Sequence, residues 1–327
     1  MEKQPHLPAD DYPKTIEELE SRFSTEEACR AYLWKLRWPD GFRCPRCQGA
    51  RVWPTGRSNL FECGSCHHQV SITAGTIFEG SRKPLVQWFR AIWWMTNEKN
   101  GASALGLQRV LGLGSYQTAW AWLHKLRRAM VRQGRDLLDG RVEIDETYWG
   151  GPKVGKRGRG AKEKALIVIA VQENGTGIGR IRMARIPDIS GPSLEGFIQA
   201  TILPGTTVHT DAYRGYNGLN SLGYVHEVTN MSNSDVPAHV AMPRVHRVAA
   251  LLKRWIMGTH QGGISHEHLE YYLDEFTFRF NRRTSKSRGK LFYRLLQQAV
   301  GTDAVPYSSL VGGEQSSRPK PQDVVGA

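Results

Sequence analysis

The sequence has no run of about 18 consecutive apolar residues, so nothing in it reads as a membrane-spanning helix and no membrane partner is expected. Its first thirteen residues are polar and acidic and lack the basic and apolar segments of a signal peptide, which makes a cytoplasmic protein the expectation. Cysteine is scarce. Of the five present, four fall into two Cys-x-x-Cys pairs, and in a reducing compartment such pairs read as metal ligands rather than disulfides. Cys29 stands apart and reads as a buried thiol on a helix. Negative charge is also short: 31 Asp and Glu face 44 Lys and Arg, for a formal net charge of +13. The basic residues recur from Lys35 to Arg294 instead of forming one tail. That distribution suits a polyanionic partner, because each phosphate neutralised releases counterions. Charge alone does not separate nucleic-acid enzymes from ribosomal or membrane-surface proteins. No internal repeat is visible, and 327 residues are enough for two or three cores.

Residues 15–38 have helical spacing, with an N-cap signal at Ser24, and form a helical lead-in assigned to 1–40. Residues 41–80 are turn-rich and carry the cysteine pairs. Residues 81–138 return to helical periodicity. Within them a short helix, a Gly-containing turn and a second helix bearing Lys125, Arg127 and Arg128 have the outline of a helix-turn-helix, or equally of an ordinary helical hairpin. From Arg141 the texture changes to strands, expected at 142–145, 165–172, 178–186, 207–210 and 224–228. A helix is expected at 193–202 and further helices at 245–256, 266–283 and 291–300. Three strands, a helix and a fourth strand open an α/β domain, placed at 139–302. Residues 303–327, rich in Gly, Pro and Ser, are expected to be a disordered tail.

Cys44-Pro-Arg-Cys47, fifteen residues, then Cys63-Gly-Ser-Cys66 is the spacing of a tetrathiolate zinc site. With four protein ligands and no open position, such a zinc is structural, and it would supply folding energy to a module too small for a core of its own. His67 and His68 read as spectators. Arg43, Arg46, Arg51 and Arg57 surround the knuckles and suit contact with DNA or protein. Asp145 follows an apolar strand in Val142-Glu-Ile-Asp, and Asp211 follows another in Val208-His-Thr-Asp. Each alone could be a turn aspartate. On adjacent strands they would lie close enough to share metal ions. A third ligand is expected from a later helix, where His246 stands 35 residues beyond Asp211, with Lys253 two turns further along the same face.

Taken in order, these motifs, with Thr73-Ala-Gly-Thr-Ile-Phe-Glu-Gly, Ile144-Asp-Glu-Thr-Tyr-Trp-Gly-Gly, Thr210-Asp-Ala-Tyr-Arg-Gly-Tyr, Leu251-Leu-Lys-Arg-Trp and Tyr272-Leu-Asp-Glu-Phe, resemble the zinc-ribbon DDE-type transposases of bacterial insertion sequences, in the ISXO-like group. The resemblance covers residues 42–300. It implies an RNase H-like catalytic domain, binding to the element's terminal inverted repeats and to target DNA, and Mg²⁺- or Mn²⁺-dependent strand cleavage and strand transfer. A homodimer or higher oligomer on DNA, associated with the nucleoid, is expected. Asp145, Asp211 and Lys253 fall on catalytic positions of the family, while His246 stands where many relatives carry Glu or Asn. In this reading Asp145 holds two Mg²⁺ ions, and Asp211 and His246 hold one each. Lys153, Lys156, Arg157, Arg159, Lys162 and Lys164 would clamp phosphates, and Lys253, Arg254, Arg279, Arg282 and Arg283 are further DNA-contact candidates. The competing readings are a DNA-binding repressor disabled at His246 and a resolving nuclease that cuts without joining.

Overall fold

The computed structural model describes residues 11–57, 59–132, 134–150, 164–230 and 238–312. They fall into two compact units. Residues up to 132 and again 285–312 build the first, and the described residues between 134 and 284 build the second.

Helices α1 (Ile16–Arg22) and α2 (Glu26–Arg37) start at threonine caps: the Thr15 hydroxyl accepts from the Glu18 N–H and the Thr25 hydroxyl from the Ala28 N–H. The cap expected at Ser24 is therefore the next residue. Strands β1 (Val52–Pro54), β2 (Leu60–Cys63) and β3 (Gln69–Ser71) form an antiparallel sheet in that order. So small a sheet cannot bury much surface by itself. It leans on α2, whose Trp34 and Trp38 pack on Phe61 and Phe42 at ring-centroid distances of 4.6 and 5.1 Å. From the last turn of α2, Arg37 donates to the carbonyls of Ser71, Ile72 and Ala74.

Helices α3 (Leu85–Asn97), α4 (Ala104–Leu111) and α5 (Tyr116–Ala129) follow. Ser103 caps α4, and Gly112 ends it at φ 59°, a left-handed turn that glycine enters without strain. Trp88 stacks on Trp122 at 3.9 Å, fixing α3 against α5.

The second unit contains β4 (Arg141–Trp149), β5 (Ala165–Asn174), β6 (Gly177–Ile186), α6 (Gly191–Thr201), β7 (Thr207–Asp211), β8 (Val225–Thr229), α7 (Ala238–Ala241), α8 (Pro243–His260) and α9 (Leu269–Phe280). Its strands lie in the order β6-β5-β4-β7-β8. The first three in sequence form an antiparallel meander, and β7 and β8 run parallel to β4, an RNase H-like arrangement. One face of the sheet is apolar: Val142, Ile144, Val168, Ala170 and Val208 pack with Leu194, Phe197 and Ile198 of α6. Each fully buried side chain of this size stabilises the fold by roughly 1.5–3 kcal/mol. The other face receives α8 on β4 and β5, and α9 on β6. Buried from both sides, β5 reads as an unbroken apolar run instead of an alternating one.

Two helices return to the first unit: α10 (Arg288–Ala299) and α11 (Tyr307–Val311). The sequence pattern placed the first of these in the catalytic domain, but Phe292 sits in an aromatic cluster with Phe89 and Trp93. The tail expected to be disordered from residue 303 instead contains α11, anchored by the buried side chain of Leu310. Residues 313–327 lie outside the described residues.

Candidate functional site

The two cysteine pairs occupy matching turns. Gln48 and His67 each follow the second cysteine of a pair, at φ 60° and 56°, and each donates its N–H back to the carbonyl of the first, Cys44 or Cys63. This geometry brings the sulfurs of Cys44, Cys47, Cys63 and Cys66 within 4.8 Å of one another. The N–H of Ser65 points at the Cys63 sulfur at 3.4 Å and holds that thiol down to about 6, which favours the thiolate a metal needs. His67 is committed elsewhere, its Nδ1 lying 2.8 Å from Glu62. Four soft donors in this arrangement fit one tetrahedral zinc ion.

The carboxylates are organised by strand register. Glu143 of β4 pairs with His209 of the parallel β7, the last pair of that ladder, and Asp145 and Asp211 follow two residues further along their strands. Alternation puts them on the face covered by α8, opposite the apolar face of Val142, Ile144 and Val208. Asp145 was expected at a strand end. Instead β4 runs on to Trp149, and what ends there is β7, so that the outer half of β4 pairs with β5 alone. From the second turn of α8, His246 Nε2 reaches to 3.8 Å from Asp145 Oδ2, and both side chains keep some contact with solvent. Asp211 Oδ1 accepts the Tyr213 N–H, and Asp145 Oδ1 accepts the Glu146 N–H. Among the described residues, the four cysteines are the only set of three or more metal-ligating side chains whose donor atoms all lie within 4.8 Å. The Asp145, Asp211 and His246 site is more open than that.

Charge converges on the same place. Partial desolvation lowers the Lys253 ammonium, opposed by the nearby Asp145 carboxylate and reinforced by Lys164. Tyr216, buried beneath the site, donates its hydroxyl to Glu146 at 2.6 Å. Burial first, then the charges of Glu146, Asp145 and Asp211, push its pKa well above the ordinary value. One buried phenol thus feels all three carboxylates.

A family model for the ISXO2-like transposase domain matches residues 137–281, and one for a transposase zinc-ribbon domain matches residues 24–69. An uncharacterized protein in transposable element ISH50 of Halobacterium salinarum is 29% identical over 291 residues, spanning 82% of this chain and 94% of its own length. The two family matches fall in the order and over the segments that the ISXO-like resemblance implies. An uncharacterized transposase-like protein of Haemophilus influenzae is 27% identical over 115 residues, 35% of this chain and 92% of its own length.

The chain does not present every basic residue as its sequence pattern suggested. Arg127 is buried, 1% exposed, with its guanidinium on the Ala102 carbonyl and near His124, so it belongs to the core and not to a DNA-facing surface. Lys125 and Arg128 are half-buried, because α5 is packed by α4, α10 and α11 and exposes mainly Tyr116 and Gln117 at its start. Arg282 and Arg283 lie over the rings of Phe278 and Phe280 at 4.0 and 4.1 Å, and Arg283 donates to the carbonyls of Ile178 and Gly179. Arg279 is paired with Glu275. Lys253 and Arg254 are exposed on α8, and Arg43, Arg46, Arg51 and Arg57 are exposed around the cysteine turns. Lys153, Lys156, Arg157, Arg159 and Lys162 lie outside the described residues.

Sequence reasoning passed over the charged layer beside the aspartates. Arg141 links Glu173, Glu227 and His209 Nδ1. Because a guanidinium can only donate, His209 is neutral and its Nε2–H donates to Thr229 at 2.7 Å. Burial, then Arg141, lowers the His209 pKa in keeping with that state. Glu143, 1% exposed, pairs with Arg244. The available signal was alternation: Arg141, Glu143 and Asp145 occupy every second position of one strand, the same pattern that singled out Asp145.

Proposed function

We propose that this chain is a transposase that binds the terminal inverted repeats of its element and catalyses metal-dependent strand cleavage and transfer of the cleaved ends to target DNA. The observation that carries this reading is that Asp145 and Asp211 each stand two residues beyond the Glu143–His209 pair that closes the parallel ladder, with His246 3.8 Å from Asp145, inside an ISXO2-like transposase domain. The donor set fits divalent ions: two carboxylates and an imidazole, all half-buried. Asp145, Asp211 and His246 would hold the ions. Bound there, two divalent ions would supply Lewis-acid activation of an attacking oxygen and neutralise charge on the leaving oxygen at phosphorus. Lys253 holds a cation beside Asp145, where it suits a DNA phosphate approaching the carboxylates. Alternation points Glu146 to the opposite face of β4, where it accepts from Tyr216.

Cys44, Cys47, Cys63 and Cys66 are assigned a structural zinc, and the exposed arginines around them a role in gripping DNA. A homodimer or higher assembly on paired ends belongs to the same reading. The test is incubation of the zinc-loaded protein with a labelled inverted-repeat duplex and Mg²⁺ or Mn²⁺. Nicking at the element boundary supports the proposal, while sequence-specific binding without cleavage in either metal would make the chain a repressor.

A further inference from the structure

We infer that Glu143 is a positioning residue that sets His246 against Asp145, an inference that rests on the site proposed above. Glu143 is 1% exposed on β4, two residues before Asp145 and on the same face. Its Oε2 accepts two backbone N–H groups at the start of α8, from Arg244 and Val245, both at 2.9 Å. Its Oε1 accepts from the Arg244 guanidinium at 2.9 Å. Met242 provides no side-chain cap for α8, so a carboxylate from the sheet performs that task. The residue after Val245 is His246. One strand therefore supplies both the anchor of the helix start and, one side-chain repeat along, the carboxylate that the helix's next residue faces.

Arg244 closes the arrangement from the other side. Its remaining donors go to the carbonyls of Gly177 and Gly175 at 3.1 and 2.8 Å, and its NH1 lies 3.2 Å from Glu173. The β5–β6 turn, β4 and α8 are thereby joined at one guanidinium. A helix held this way cannot slide along the sheet without breaking charge-assisted bonds in a buried setting. Such outer partners of ligating residues set metal affinity by fixing the ligands' orientation.

The experiment is a Mn²⁺ titration of the full-length, zinc-loaded protein followed by electron paramagnetic resonance, with thermal unfolding recorded in parallel. Glu143→Ala is expected to weaken Mn²⁺ binding by about 10- to 100-fold, the range typical of outer-sphere changes. Glu143→Gln can keep both backbone bonds through one oxygen, and Arg244 still has Glu173 and the two glycine carbonyls. It should recover most of the affinity and fold normally. A folded Glu143→Ala or Glu143→Gln protein in which both variants bind Mn²⁺ as the wild type does would overturn the inference. Loss of the folded state in both would also overturn it, making Glu143 a residue of stability alone. Asp145→Asn serves as the control: wild-type Mn²⁺ binding by that variant would instead bring down the site itself.

Discussion

Asp145 and Asp211 each follow the Glu143–His209 pair that closes the parallel β4–β7 ladder, and they face α8 because strand side chains alternate. Neither carboxylate makes the phosphate contacts that dominate DNA affinity. Asp145→Asn and Asp211→Asn are therefore expected to abolish strand cleavage while leaving inverted-repeat binding within about threefold of wild type, as read by gel shift and end-nicking on one substrate. His246 brings nitrogen to a site otherwise built of carboxylate oxygen, and Mn²⁺ accepts nitrogen more readily than Mg²⁺ does. Cleavage should be faster in Mn²⁺ than in Mg²⁺ at equal concentration. His246→Ala should lose activity and His246→Glu should retain or improve it; an unaffected alanine variant would move the third ligand elsewhere. A different single residue matters for the first unit. A Cβ on Gly289 would meet the Pro13 carbonyl oxygen at 1.7 Å, which no rotamer relieves because both atoms are backbone-fixed. Gly289→Ala is expected to cost about 1–3 kcal/mol or more, measured by denaturant unfolding, by displacing the segment that precedes α1.

The three short strands of the cysteine module bury little without α2 and metal, so removing zinc should unfold that module and leave the β4–β8 sheet intact. Elemental analysis should find one zinc per chain, with chelation flattening the module's signals in a spectrum that still reports a folded catalytic sheet. On β7 and β8, His209 and His226 are held neutral, each lowered mainly by burial. Unfolded, both would titrate near the ordinary value of 6.5. The stability they permit is full above that value and is lost as pH falls through the window between 6.5 and the depressed folded values. Thermal unfolding of the sheet should accordingly shift downward on acidification from neutrality, and less so in a His209→Gln variant. Much of this was legible beforehand. The cysteine spacing, the apolar run of β5 and the two strand aspartates all follow local rules that sequence displays directly. Arg127 was misread because helical periodicity marks a polar residue as outward, and nothing local tells of the helices that close around α5. Glu143 was missed for the converse reason, since its partners stand about a hundred residues away at the start of α8.

At the scale of the whole chain, the first unit is closed by residues that come after the second, with α10 and α11 returning to pack among α2, α3 and α5. Periodicity shows that residues 288–299 form an amphipathic helix but not which core receives it, and only the aromatic cluster around Phe292 decides that. Of the net charge of +13, +10 falls on residues 1–132 and 285–312 and +3 on the rest, so the first unit is the more basic surface for a polyanion. The most direct measurement combines a labelled inverted-repeat end, a supercoiled target plasmid, Mn²⁺ and the zinc-loaded protein, with products resolved on a denaturing gel. Wild-type protein should join the 3′ end of the labelled strand covalently to the plasmid, and Asp145→Asn should yield no joined product while still binding the end. Bound ends that are never joined by the wild-type protein, or joining by Asp145→Asn at the wild-type rate, would contradict this account.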